Sequence, residues 1–197
     1  MTEYEDALLN LCVNMLFNMK AAKLTHQQAL TLVAKLPPGK KLILSDKQKW
    51  DVLIVVRDCQ TSNGRFLKSL DQNVDDIKKR ANILKAIDEL YNAICIDDYQ
   101  AELAKSSVSC KIAHQFKYEG DSLKVWELKP NNKDRVYFFP TSETFGGRKR
   151  IFLLSAYHKK DQQTPKEIKD SCEEAIKEIL RTKDKIEICE EKNVAKK

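Results

Sequence analysis

The chain of 197 residues is long enough for one medium-sized domain, or for one domain with an appendage. It is 42% hydrophobic and 32% charged, with only five glycines and five prolines, which excludes a repetitive or disordered chain. The formal net charge of +6 favours a polyanionic partner. The N-terminus is acidic and no apolar stretch reaches the roughly 20 residues of a membrane span, so we expect a cytoplasmic protein without a membrane partner.

The N-terminal part is predicted to be helical. Apolar residues recur on most turns of residues 3–22, as expected of a helix. A second helix begins at Thr25, whose hydroxyl and the side chain of Gln28 fit a capping box. This helix ends before residues 37–39, which read Pro-Pro-Gly. We therefore predict that residues 1–49 are an N-terminal helical extension.

A strand and a pair of helices are predicted next. Residues 50–56 are apolar and β-branched, which is typical of a strand covered on both faces. Helical periodicity then extends over 65–96, and the acidic pair Asp75-Asp76 suits the start of the second helix. Residues 97–122 are polar, and we expect an irregular segment with a short helix at 99–105.

Three strands are predicted over 123–129, 135–139 and 150–157. Pro130-Asn131-Asn132 is strong turn chemistry between the first two, so strands joined by such short turns should pair antiparallel. One strand, two helices, three strands and a closing helix make up an α+β plan.

The closing helix opens at Thr164, with Pro165 in its first turn and Glu167 reaching back to the cap. We expect it to end at about Arg181 and to be followed by a tail over 186–197. The domain itself is predicted to span 50–185.

The cysteines are predicted to be reduced thiols. They form no CxxC pair and have no close histidine partner, so no zinc site and no metal ligand set is expected. Without an export signal, reduced and mostly buried thiols are the expected state. The six cysteines are at positions 12, 59, 95, 110, 172 and 189.

Four fragments in order resemble a known family. They are Val-Trp-Glu-Leu-Lys at 125–129, Asp-Arg-Val-Tyr-Phe-Phe at 134–139, a strand at 152–160 ending in Lys-Lys, and Gln-Thr-Pro-Lys-Glu-Ile at 163–168. Together, over residues 50 to about 180, they resemble the RelE superfamily of bacterial toxins, in its HigB-like, phage-related branch.

The resemblance implies a RelE-like fold, with a small antiparallel sheet packed against helices and an added N-terminal helical segment. Two features depart from the family pattern. Lys129 stands where the family usually has arginine, and residues 1–49 have no counterpart in a minimal toxin. These departures leave room for a relative that keeps the fold and has changed its function.

The activity implied by the resemblance is that of an endoribonuclease that cuts mRNA, often on the ribosome. The ribose 2′-hydroxyl attacks the adjacent phosphorus, and the protein moves protons and neutralises the phosphoryl oxygens without a cofactor or metal. The implied partners are mRNA, the ribosome and a cognate antitoxin protein.

The candidate catalytic residues are Arg135, His158, Lys159 and Lys160. Arg135 matches the family's second-strand arginine, and its planar fork suits a phosphate. The paired lysines match the family's terminal Lys-Lys, whereas His158 is inferred from the acid–base chemistry of imidazole. The alternatives are an arginine paired with a nearby acid, a solvated basic turn, and a partly exposed histidine at the end of a strand. Alternation along the strand points consecutive lysines to opposite faces.

A cationic track for the RNA backbone is also predicted. It comprises Lys124, Lys129, Arg148 and Arg150, with Tyr157 as a side chain that stacks on a base or binds a phosphate. The alternatives are a solvated hairpin rim for the cations and ordinary packing for the tyrosine.

Three other functions remain open. A catalytically silent relative would bind RNA or a protein through the same surface, and a gyrase-poisoning relative would act on a protein. A small-molecule enzyme ranks last, because the chain has no glycine-rich phosphate loop and no nucleophile elbow. The extension over residues 1–49 is a lid, a fused antitoxin-like segment or added packing.

Overall fold

The computed structural model describes residues 19–35, 48–145, 148–160, 163–182 and 185–189. In these ranges seven strands form one sheet: β1 (Lys20–Lys23), β2 (Trp50–Val56), β3 (Ser109–Tyr118), β4 (Asp121–Lys129), β5 (Asp134–Phe145), β6 (Arg148–His158) and β7 (Glu187–Cys189). The same ranges contain a short 3₁₀ turn over Thr61–Asn63 and five α-helices: α1 (His26–Gln28), which continues as a π-helical turn over Ala29–Val33, α2 (Arg65–Asn73), α3 (Ile77–Ala93), α4 (Tyr99–Leu103) and α5 (Lys166–Arg181).

The sheet is mixed, and its strand order is β3-β4-β5-β6-β2-β1-β7. Strands β3 to β6 form an antiparallel meander, β2 lies parallel to β6, and β7 lies parallel to β1. The predicted α+β class and the antiparallel pairing of the three central strands are confirmed. The expectation of a small antiparallel sheet is wrong, because β1, β3 and β7 extend the sheet and two of its pairings are parallel.

Helices cover both faces of the sheet, because alternate strand residues point to opposite sides. In β2, Val52 and Ile54 belong to the core shared with α2 and α3, whereas Leu53 belongs to the core shared with α5. Both cores are made of buried apolar side chains. The sheet therefore has an α2/α3 face and an α5 face, and the face on which a residue lies decides its neighbours.

The strand and the two helices predicted after residue 50 are confirmed. Asp76 caps α3 by accepting hydrogen bonds from the amides of Lys78 and Lys79. Gly64 precedes α2, and a Cβ at this position would lie 2.5 Å from Cδ1 of the fully buried Ile54. The missing side chain therefore lets the start of α2 approach β2 closely.

The N-terminal region contributes to the sheet. The capping box of Thr25 and Gln28 is confirmed at the start of α1. The helix predicted over 3–22 falls largely outside the described residues, and its last residues, 20–22, are strand. This strand, β1, pairs with β2, so part of the predicted helical extension is hydrogen-bonded to the predicted domain.

The segment 97–122 is more regular than expected. Its short helix is confirmed as α4, but residues 109–118 form β3 and not an irregular loop. A register shift between Ile112 and His114 interrupts the alternation of polar and apolar residues, which hides the strand in the sequence. Glu119 and Gly120, both with positive φ, turn the chain into β4.

The closing helix is confirmed over Lys166–Arg181, but Thr164 does not cap it. Pro165 occupies the cap position without a side-chain hydrogen bond, and the Thr164 hydroxyl lies 2.9 Å from the Tyr137 hydroxyl. Beyond this helix, residues 187–189 of the predicted tail form β7. Residues 190–197 of that tail lie outside the described residues.

The prediction that all cysteines are reduced is wrong for Cys59 and Cys189. They form a disulfide with a Cα–Cα distance of 5.3 Å, because the pairing of β7 with β1 brings the C-terminal strand beside the loop after β2. Cys95, Cys110 and Cys172 are free, and Cys12 lies outside the described residues. None of the described helices has the length and apolarity needed to cross a bilayer.

Candidate functional site

The candidate catalytic residues lie where β5 begins and β6 ends. The register pairs Arg135 with Tyr157 and Asp134 with His158. Residues directly opposite each other share a face, so these two pairs point to opposite sides of the sheet. The four predicted catalytic residues are therefore divided: Arg135 and Lys159 lie on the α5 side, and His158 and Lys160 on the other side or at its rim.

Arg135 is buried, with 4% of its surface exposed, and its guanidinium is largely occupied by backbone oxygens. It donates hydrogen bonds of 2.7–2.9 Å to the carbonyls of Asn131, Asn132 and Asp134, which closes the turn between β4 and β5. Its Nε lies 3.4 Å from a carboxylate oxygen of Glu127 without making a hydrogen bond. Arg135 therefore acts mainly as a fixed positive charge that holds the turn.

Lys159 lies close to this charge. Burial is the largest cause that lowers the pKa of the Lys159 amine, and the charge of Arg135 lowers it further. The charges of Lys111 and Lys129 act in the same direction, whereas the carboxylate of Glu127 opposes them. We call Lys111, Lys129, Arg135 and Lys159, with Glu127 among them, the cationic cluster.

The cluster is assembled from four neighbouring strand segments. Lys111 of β3 lies opposite Glu127 of β4, and its Nζ is 3.6 Å from Oε1 of that glutamate. Lys129 ends β4, two residues after Glu127 and on the same face. The side chain of Lys111 is 55% exposed and that of Glu127 only 6%, so solvent reaches the cluster from the edge of the sheet.

Helix α5 covers the remainder of this face. His114 Nε2 lies 3.2 Å from Glu173 of α5, in an orientation that makes no hydrogen bond. Burial is the main cause that lowers the pKa of His114, and Glu173 opposes the shift. The contact between Tyr137 and Thr164 fixes the start of α5 beside the cluster, and burial raises the pKa of the Tyr137 hydroxyl.

On the opposite face a buried carboxylate is fully engaged. Asp134, 1% exposed, accepts hydrogen bonds from the side-chain amides of Asn82 and Asn131 at 2.8 and 2.6 Å. Its second oxygen lies 2.7 Å from Nδ1 of His158. The network ties α3, the β4–β5 turn and the end of β6 together, so His158 has a structural role. Lys160 is exposed and lines a cleft beside His158.

The predicted RNA track is not continuous. Lys124 is exposed, but it alternates with Val125 and so points away from the α5 face that carries Lys129. Arg150 is 5% exposed, because β6 is a central strand flanked by β5 and β2. Arg148 begins β6, and its side chain lies outside what the structure describes. Tyr157 packs in the core shared with α5, as its alternative interpretation expects.

Two members of the cluster were not candidates from the sequence. Lys111 lies in the segment predicted to be irregular, and Glu127 was considered only as a structural partner of Arg135. The alternation of Cys110, Lys111 and Ile112 is a strand signal, but the register shift that follows breaks it after three residues. Recognising β3 would have placed Lys111 opposite Glu127.

One group of side chains within the described ranges has metal-ligand chemistry. Ligand atoms of Cys59, Glu187 and Cys189 lie within 4.8 Å of one another. Because the two sulfurs are bonded to each other, neither is available as a thiolate. The cationic cluster has a single carboxylate, which suits an anionic ligand better than a cation.

No protein-family model, curated protein or solved structure matches this chain.

Proposed function

We propose that this protein is a metal-independent endoribonuclease of the RelE-like toxin type, with the cationic cluster as its active site. The observation that supports the proposal is the position of Lys159, an amine of lowered pKa among three other cations on one sheet face. Cleavage within RNA needs positive charge for the phosphoryl oxygens and a group that exchanges a proton. Both requirements are met within this cluster.

In the proposed reaction the ribose 2′-oxygen attacks the adjacent phosphorus, and the bond between phosphorus and the 5′-oxygen breaks. The lowered pKa lets the neutral Lys159 amine accept the 2′-hydroxyl proton more readily than an ordinary lysine. Lys111 and Lys129 neutralise the non-bridging oxygens, and the leaving 5′-oxygen takes a proton from water. The products are a 2′,3′-cyclic phosphate and a 5′-hydroxyl, without any change in oxidation state.

Lys159 and Lys160 provide a matched pair of variants, since consecutive residues with the same side chain belong to different surfaces. We expect Lys159→Ala to lower the cleavage rate by about 100-fold or more. With the protein in saturating excess over the RNA, so that weaker binding does not lower the rate, Lys160→Ala should stay within about threefold of the wild type. The assay uses end-labelled RNA, alone and as mRNA on translating ribosomes, and identifies the cyclic phosphate and hydroxyl ends.

Equal losses in the two variants would contradict this assignment, because they would indicate an effect of net charge. Unchanged cleavage in Lys159→Ala would remove Lys159 from the reaction. Lys111→Ala gives an independent check: the exposed side chain is removed without disturbing the core, and we expect roughly a tenfold loss.

The second candidate is a catalytically silent protein that binds RNA through the same cluster. It is favoured by the hydrogen bonds of Arg135, because three backbone carbonyls occupy the groups that would hold a phosphate at two points. In that case the wild type binds RNA and leaves it intact in the same assay. A cognate antitoxin and the ribosome are the partners we propose for the first candidate, in the cytoplasm. Relief of growth arrest by a co-expressed neighbouring gene would test the antitoxin.

A further inference from the structure

Two adjoining cavities lie outside the carboxyl ends of β2 and β6, between α2 and α5. The larger, of about 530 Å³, contains Arg57, which follows β2. The smaller, of about 330 Å³, contains His158 and Lys160 at the end of β6. Gln72 of α2 lines both cavities, so they are neighbours on the surface, and we call the two together the end groove.

The end groove has more positive than negative side chains. Four cations and one carboxylate line the larger cavity, and two cations, two carboxylates and His158 line the smaller. Within the described ranges Arg57, Lys68 and Lys160 form no salt bridge, whereas the Nζ of Lys20 lies 3.6 Å from Glu187. Unpaired cations around one depression give a positive potential that attracts a polyanion.

The carboxylates of the groove are largely engaged. Glu178 lies 3.5 Å from Arg65, and Asp75 lies 2.8 Å from Lys79. Arg65 also donates to the carbonyl and the hydroxyl of Ser171, so this side chain holds α5 against α2. Arg65 therefore fixes the two helices beside the groove, and the pairing of Glu178 and Asp75 reduces the negative charge that would oppose an anion.

The position of the groove in the fold also suits a ligand. Strands β2 and β6 are parallel neighbours, and crevices outside the carboxyl ends of parallel strands are common ligand sites. The groove is separate from the cationic cluster, since Lys160 lines the groove and Lys159 belongs to the cluster. Because these residues are consecutive, their Cα atoms are only about 3.8 Å apart, and the two surfaces meet at the end of β6.

We propose that the end groove binds phosphates of a single-stranded nucleic acid, with Arg57, Lys68 and Lys160 as phosphate contacts. The proposal rests on the nucleic-acid ligand of the proposed function, but it does not require cleavage. A nucleic-acid strand bound at Lys159 in the cationic cluster continues past Lys160 into the end groove. The groove thereby increases the affinity for the nucleic acid and fixes its orientation. It does not select a base sequence, since its contacts are to the phosphate backbone.

The test uses a labelled single-stranded oligonucleotide with 2′-O-methyl riboses, which lacks the nucleophile for cleavage. The double variant Arg57→Ala/Lys68→Ala removes two exposed cations of the groove, and Lys85→Ala/Lys117→Ala removes two exposed cations from α3 and β3. Fluorescence anisotropy then measures the dissociation constant of each protein over a range of salt concentrations.

We expect the groove variant to bind at least tenfold more weakly. The slope of the logarithm of the binding constant against the logarithm of the salt concentration should become shallower by about 1.4, or about 0.7 for each lost phosphate contact. The control variant should stay within about twofold of the wild type. Equal weakening in both variants, or no weakening in the groove variant, overturns the proposal. Matching thermal unfolding of the two variants excludes a folding defect.

A competition experiment tests whether the ligand of the groove is a nucleic-acid strand or a small phosphate compound. If inorganic pyrophosphate displaces the oligonucleotide at micromolar concentration, the groove takes a small phosphate compound and the proposal of a strand is overturned. The outcome is independent of the proposed nuclease activity. A wild type that leaves unmodified RNA intact refutes cleavage, whereas the modified oligonucleotide still reports on the groove.

Discussion

At the start of β5 the two faces of the sheet each bury a side chain, one acidic and one basic. The two side chains differ in the groups that surround them. On the α2/α3 face three side chains surround Asp134, and two of its neighbours are neutral amides. On the α5 face Arg135 is bound by backbone carbonyls, with Glu127 as its one acidic neighbour. Backbone carbonyls satisfy hydrogen-bond donors without carrying a full negative charge.

The difference explains why chemistry is expected on one face. Around Asp134 the groups satisfy one another's hydrogen bonds, which stabilises the fold. On the α5 face burial is the main cause that lowers the pKa of Lys159, and the partly neutralised charge of Arg135 lowers it further. Arg135, whose partners are carbonyls, therefore influences the pKa of a neighbouring group. Asp134, whose oxygens are all engaged by side chains, stabilises the fold by connecting three elements.

The largest expected effect is the loss of the network on the α2/α3 face. Asp134→Ala leaves Asn82, Asn131 and His158 without their shared acceptor in a buried site, and we expect a loss of about 3–5 kcal/mol in the free energy of unfolding. Urea denaturation measures it. The matched control is Asp121→Ala at the exposed start of β4, which should change stability by less than about 0.5 kcal/mol. Similar effects of the two variants would show that the network does not stabilise the fold.

A smaller loss is expected on the α5 face. Arg135→Met keeps the volume of the side chain but removes the donors to the turn, and we expect a loss of about 2–3 kcal/mol. The same change removes a positive charge, so the pKa of Lys159 should rise toward its ordinary value. Nuclear magnetic resonance titration of the Lys159 amine measures this shift. An unchanged pKa would mean that Arg135 does not influence the pKa of Lys159.

The smallest effect concerns the pH dependence of stability. Because the pKa of Lys159 is lower in the folded state than the ordinary 10.5, the unfolded chain binds more protons between those two values. Stability of the wild type relative to Lys159→Met should therefore rise as the pH increases through this window, by less than about 1 kcal/mol. Urea denaturation at a series of pH values measures the difference. A difference that falls over this window would contradict the lowered pKa of Lys159.

Most elements from residue 50 onward were predictable from local signals. The β-branched run 50–56, the acidic start of α3 and the turn at 130–132 each specify a local conformation with little help from the rest of the chain. Strands β1 and β7 were not predictable, since each is only three or four residues long and exists because it pairs with a neighbour. Strand β3 was hidden by its register shift.

The site was predictable in part. Family-like motifs indicated Arg135 and the two lysines, and strand alternation predicted that those lysines face opposite sides. The burial of Arg150 and the occupied guanidinium of Arg135 were not predictable, because they depend on which strands flank β6 and on the path of the turn. The groove cations Arg57 and Lys68 carry no motif at all.

The amino-acid sequence by itself determined the order of the elements, the alternation of side chains along the strands and the overall positive charge, because these follow from local periodicity and composition. Only the tertiary structure decided which cations share a surface. Strand order and register bring Lys111, Lys129 and Lys159 together around Arg135, and separate them from His158 and Lys160. The physical reason is that pairing across the sheet joins residues far apart in the chain, while each step along a strand reverses the face.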